Sequence, residues 1–163
     1  MRKPKSKTVD TTPGWLREFI ALGESHIDAY SEVGARKKER FHQIGAHLCK
    51  EIAAKLGLAP GTYDIRSNKA GIAVCGEVTL HGESLYLQFG QSITGLGFMY
   101  RRCEGRKDYG GKGGRNCWMK YEKLLEMAWV VAALKTVAGG YREEEILPAG
   151  APWAHASISY DRH

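Results

Sequence analysis

Apolar residues recur along this chain at two different periods, and the change of period divides it. Phe41, Ile44, Leu48, Ile52 and Leu56 trace one face at helical spacing. Gly57, followed by Leu58 and Pro60, is a strong stop signal. Upstream, Thr12 and Pro13 read as the N-cap and first position of a short helix carrying Trp15, Leu16, Phe19 and Ile20 and closing at Gly23. Ser25 is a candidate cap for the next helix, with Asp28 three residues on, and Gly34 is a candidate break. The pattern leaves 25–57 as either one helix or two.

The middle of the chain switches to period two. In GIAVCGEVTLHG, residues Ile72, Val74, Val78 and Leu80 fall on one side and Ala73, Cys75, Glu77, Thr79 and His81 on the other. HGES supplies a tight turn in which Gly82 is free to take positive φ. The return strand LYLQF sets Leu85, Leu87 and Phe89 against Tyr86 and Gln88, and LGFMYRRC alternates again. With TYDIRSN ahead of them, these runs predict an antiparallel meander of about four strands with one apolar face.

Residues 119–138 then read as a long helix. Tyr121, Leu124, Leu125, Ala128, Trp129, Val131 and Ala132 leave little polar surface on it, which predicts burial on most sides. Gly139-Gly140 ends it. The expected fold class is α+β: helices, a covered meander, a long C-terminal helix and an extended tail. The expected organisation is a flexible basic arm at 1–11, one domain at 12–140, and a tail at 141–163 in which WAHASISY alternates well enough to add an edge strand.

Composition narrows the class. At 163 residues the chain is long enough for one sizeable core, and 43% hydrophobic with 26% charged residues is a globular balance. No apolar run is long enough to span a bilayer, and the N-terminus has no secretory pattern. Four cysteines without a C-x-x-C pair complete the reading of a cytoplasmic protein with reduced thiols and no membrane partner.

Charge changes the picture more. The net charge is +6, and residues 101–120 alone hold seven Lys or Arg against two acids. That segment, YRRCEGRKDYGGKGGRNCWMKY from Tyr100 to Tyr121, also gathers aromatic rings and a four-glycine run. Arginine forks suit phosphate oxygens, lysine supplies point charge, and glycine lets backbone N–H groups approach an anion. Tyr109 and Trp118 offer stacking faces for unpaired bases. Arg101, Arg102, Arg106, Lys107, Tyr109, Lys112, Arg115 and Trp118 are therefore the candidate nucleic-acid-binding residues, and single strands suit them better than duplex. The competing structural reading is a solvated basic turn, with Trp118 and Tyr121 in the core.

Other chemistries fit less well. GGKGG places Gly113 after Lys112, so the Mg²⁺-binding hydroxyl of a phosphate loop is missing, and no G-x-G-x-x-G fingerprint is present. Cys103 and Cys117 bracket the loop with thirteen residues between them, unlike the close pairs of structural zinc sites. No cofactor or metal is called for. A metal-independent ribonuclease would need a base, an acid and cations, for which His81, Glu77 or Glu104, Tyr109 and the arginines are the available parts.

The sequence thus leans away from an enzyme and toward a binding protein for nucleic acid or a nucleoprotein complex. The alternative is an accessory inhibitor of a host defence complex, of the anti-CRISPR or anti-restriction type carried by phages and plasmids, acting by protein–protein contact. Its candidate surface is the acidic run at 142–145 and Trp153. Oligomeric state is not encoded legibly.

Overall fold

The computed structural model describes residues 10–140, apart from 73, 93 and 94, and the short strand Ile158–Tyr160. Most of the expected arm and tail, including Trp153 and the 143–145 acids, lies outside the described residues. Helix α1 spans Gly14–Glu24 and α2 spans Glu32–Lys55. Strands β1 (Asp64–Asn68), β2 (Glu77–His81), β3 (Leu85–Gly90), β4 (Phe98–Arg102) and β5 (Asn116–Met119) come next in the chain. A 3₁₀ turn at Tyr121–Leu125 leads into α3, Met127–Ala138, and β6 is Ile158–Tyr160. The fold is α+β, with an antiparallel sheet in the order β1-β2-β3-β4-β5-β6.

Helix capping departs from the sequence reading in informative ways. Pro13, not Thr12, is the N-cap of α1, and its carbonyl accepts from the amides of Leu16 and Arg17. Ser25 is the C-cap of α1, its hydroxyl donating to the Leu22 carbonyl. The start of α2 is Ser31, whose Oγ accepts from the Gly34 amide at 2.9 Å. Gly34 does not break the helix. It sits in the first turn because the chain folds back there, and a Cβ at Gly34 would lie 1.6 Å from the Asp28 carbonyl oxygen.

One face of the sheet builds the core. Leu80, Leu87 and Tyr100 lie side by side across β2, β3 and β4, as do Val78 and Phe89 on the next row. Phe19 of α1 stacks on Phe41 of α2 at 5.0 Å and meets Phe89 edge-on at 5.3 Å. Phe98 and Tyr121 continue the cluster, and the Tyr121 hydroxyl donates to the Gly90 carbonyl. All three helices pack into this single apolar cluster, so they occupy one side of the sheet.

Several expectations fail for physical reasons. Residues 71–76 do not extend β2: Gly76 takes φ of 77° beside Asn68, and Ile72 and Val74 are 73% and 57% exposed. Gly82 does not adopt positive φ; the turn closes instead through its amide on the Leu85 carbonyl at 2.8 Å. The helix expected at 119–138 begins only at Met127. Met119 pairs with Phe98 in β5, a fifth consecutive strand where the sequence showed a loop. Tyr121 and Leu124 mimic helical spacing because three residues also make one 3₁₀ turn, and Glu126 interrupts at φ −109° and ψ 58°. α3 buries one side only, since Ala128 and Ala132 are exposed.

Gly34→Ala should lower stability by about 1–3 kcal/mol through overpacking against the Asp28 carbonyl. Gly14→Ala, which meets nothing within 4 Å, should instead be neutral or stabilise by about 0.4–1 kcal/mol. Urea midpoints of the two variants check the contrast.

Candidate nucleic-acid interface

The sheet face away from the helices carries a different chemistry. Alternation places Asp64 and Arg66 of β1, Thr79 and His81 of β2, Tyr86 and Gln88 of β3, Met99 and Arg101 of β4, and Trp118 of β5 on it. The register lines up Arg66, Thr79, Gln88, Met99 and Trp118 as one row across five strands. At roughly 4.8 Å per strand, that row is about 19 Å long. The Tyr86 hydroxyl donates to the Gln88 Oε1 at 3.0 Å, which leaves the Gln88 amide nitrogen available as a donor.

The loop between β4 and β5 folds back over one end of this face, and Asp108 organises it. Asp108 is buried, and its carboxylate accepts from the amides of Glu104 at 2.9 Å, Lys112 at 3.0 Å and Gly113 at 3.0 Å. Arg101 reaches it from β4, with Nη1 3.5 Å from Oδ2 and Nη2 donating to the Asp108 carbonyl at 2.9 Å. The Glu104 amide first, then the Lys112 and Gly113 amides and the Arg101 guanidinium, hold the carboxyl far below the usual carboxylate range.

Arg101 is 3% exposed and also lies over the Tyr86 ring at 4.6 Å. Its charge is consumed inside the protein, so it is not presented to a ligand. Arg106 is likewise engaged: Nε and Nη2 grip the Asp64 carboxylate at 3.1 and 2.8 Å, and Nη1 donates to the Gly61 carbonyl at 2.7 Å. These two arginines tie the loop to the sheet, Arg101 buried and Arg106 with a third of its side chain exposed.

The other candidates are placed differently. Arg102, Lys107, Lys112 and Arg115 are exposed, and among the described residues no acid pairs with Lys107 or Lys112. Tyr109 is 57% exposed, its hydroxyl bonded by Arg66 and its ring edge-on to His81 at 5.2 Å. Trp118 is half-buried on the outer face, not in the core, whereas Tyr121 is fully buried. The loop therefore brings Tyr109 to the face that Trp118 and Gln88 share, with the exposed Lys107 and Lys112 close to it in the chain.

No family model, curated protein or solved structure matches this chain. Function therefore has to be sought in the chemistry of this face.

His81 is buried at the end of β2, where Nε2 lies 3.0 Å from the Gly105 carbonyl. Burial lowers its pKa, with the Arg101 and Arg66 charges adding to the effect. Cys103 is buried with its thiol on the Gly82 carbonyl, and among the described residues no three potential ligands gather for a metal. No helix among the described residues is long and apolar enough to cross a membrane.

Sequence reasoning missed Arg66, Tyr86 and Gln88 as members of this face. The signal was present in the alternation that set Tyr86 and Gln88 opposite Leu85, Leu87 and Phe89.

Arg101→Met, which leaves the Asp108 carboxylate buried without its countercharge, should cost about 3–5 kcal/mol in urea unfolding. Stability should also fall on acidification. His42, whose nitrogens meet Ser67 Oγ and the Cys75 carbonyl, has its pKa lowered by burial, as does His81. The unfolded chain takes up protons at about pH 6.5 while the folded one does not. Tm should thus be level above that pH, fall below it, and fall further below about pH 3.9 as Asp108 binds a proton only on unfolding. A Tm independent of pH between about 7 and 5 would contradict this assignment.

Proposed function

We propose that this protein binds single-stranded nucleic acid, free or within a nucleoprotein complex, and does not catalyse its cleavage. The observation that carries the reading is the sidedness of the sheet. Its helices cover one face, while the other carries the half-buried Trp118 and Gln88 and the exposed Tyr109, and the loop that holds Tyr109 also bears Lys107 and Lys112, exposed lysines with no acid partner among the described residues. Aromatic faces accept any base by stacking, and unpaired lysines exchange condensed counterions for phosphates. A duplex hides its base faces and has no use for the rings.

The engagement of Arg101 with Asp108 beneath the loop supports binding over ribonuclease chemistry, because it removes a cation that a scissile phosphate would need. The inhibitor alternative draws on Trp153 and the 143–145 acids, which lie outside the described residues. It has no structural observation in its favour among the rest.

Binding to fluorescein-labelled single-stranded RNA, single-stranded DNA and duplex over a salt series tests the proposal. Both single strands should bind more tightly than duplex. Lys107→Ala combined with Lys112→Ala should reduce the slope of log K against log salt by about 1.4, at roughly 0.7 per phosphate contact on a single strand. Trp118→Ala should cost about 1–3 kcal/mol with the salt slope unchanged. Flat titrations on all three nucleic acids would sink the reading and turn attention to a protein partner.

A further inference from the structure

Two buried side-chain atoms of the proposed face lack a hydrogen-bond partner among the described residues: Arg101 Nη1, which has the Asp108 carboxylate 3.5 Å away, and His81 Nδ1, which has no such countercharge. The His81 ring is 1% exposed. Because a carbonyl only accepts, the contact between Nε2 and the Gly105 oxygen requires the proton to sit on Nε2. In the neutral ring Nδ1 is then a bare acceptor. A buried acceptor without a partner is costly, and such groups in a folded protein call for a specific explanation.

The enclosure around this ring has one movable wall. Tyr86 packs edge-on at 4.9 Å and is itself held by Arg101 and Gln88. Tyr109 packs edge-on at 5.2 Å, but it is mostly exposed and is anchored by its hydroxyl to Arg66, a half-exposed side chain whose guanidinium lies over the Tyr109 ring at 5.3 Å. Tyr109 is also a principal stacker of the proposed interface. A nucleotide that engages its ring in place of Arg66 would meet the ring next to His81.

Resting on the nucleic-acid reading above, we infer that His81 makes this face select ribonucleotides: its Nδ1 accepts the 2′-hydroxyl of a nucleotide stacked on Tyr109. The choice of donor comes from the platform. Stacking is tolerant of base identity, so the complementary polar contact must be one that every nucleotide of the right class can make. Base-edge donors differ among the four bases, whereas the 2′-hydroxyl is common to all ribonucleotides and absent from deoxyribonucleotides.

Ten-nucleotide oligo(U) and oligo(dU), compared at one salt concentration, isolate this group because they share the same base and a like phosphate backbone. The native protein should bind oligo(U) at least about tenfold more tightly, a difference of roughly 1.4 kcal/mol. His81→Phe, which keeps a flat ring of similar size, should bring RNA affinity down to the DNA level while leaving DNA affinity and the salt slope as they were. Equal affinity of the native protein for both strands, or a preference that survives in His81→Phe, overturns the role of His81 and leaves strand binding intact. Failure of the native protein to bind either oligonucleotide overturns the nucleic-acid reading itself. If His81→Phe does not fold, the ¹⁵N resonance of Nδ1 in the native protein decides the matter: it should move on addition of oligo(U) and stay in place with oligo(dU). No movement with either bound strand overturns the inference.

Discussion

The placement of the basic loop depends on one buried carboxylate. Asp108 takes three backbone amides and the Arg101 guanidinium, so a run rich in glycine and lysine, which has little intrinsic reason to hold one shape, acquires a fixed path. The glycines admit the close approach of those amides, and the charge on Asp108 rewards it. A neutral side chain at 108 would leave Arg101 as an uncompensated cation under the loop. The ion pair is therefore better understood as a device for specifying loop geometry than as a net source of stability, since burying both charges carries its own desolvation cost.

That arrangement sorts the cations of the segment into two groups that composition cannot separate. Arg101 and Arg106 are spent on Asp108 and Asp64, and each acid lies where the chain must be fastened: under the loop and at the start of β1. Lys107 and Lys112 flank the fastening point and stay exposed. Arginine supplies the forked, multi-bond internal contacts and lysine the free surface charge, in line with the different chemistry of the two side chains. The high local charge that marks the segment in the sequence thus overstates what it offers to a ligand.

Much of the fold was legible because burial imposes a period. The Phe41–Leu56 stripe and the alternation through Val78, Leu80, Leu85, Leu87 and Phe89 are each fixed by one partner surface, and each appears as read. The failures share a different cause. β5 is short and half-buried, and its sequence, NCWM, has too few positions to show alternation; its pairing with Phe98 and Met99 is decided by the loop that delivers it. Ile72 and Val74 alternate correctly but lie outside the strand, because the backbone at Gly76 turns the chain away from the sheet. Of the candidate interface, Tyr109, Lys107, Lys112 and Trp118 were legible from residue type and the outer placement of Tyr86 and Gln88 from alternation, while Arg66 became visible only through strand register.

The sidedness of the sheet links these points to function. An antiparallel sheet can leave one face to solvent, and the usual filling of such a face is small polar and charged residues. Here the central row instead reads Thr79, Gln88, Met99 and Trp118, flanked by Tyr86 and Tyr109, and His81 sits within it with an acceptor that nothing satisfies. Tyr109, at 57% exposed, forgoes burial, although Met99 and Thr79 in the row are 8% and 7% exposed, and an imidazole nitrogen unpaired among the described residues forgoes a hydrogen bond. A fold that only needed solubility would relieve both by ordinary substitution with threonine, lysine or glutamate. Their coincidence on one surface, next to the lysines that the loop holds outward, is what a partner carrying flat rings, hydroxyl donors and negative charge would require.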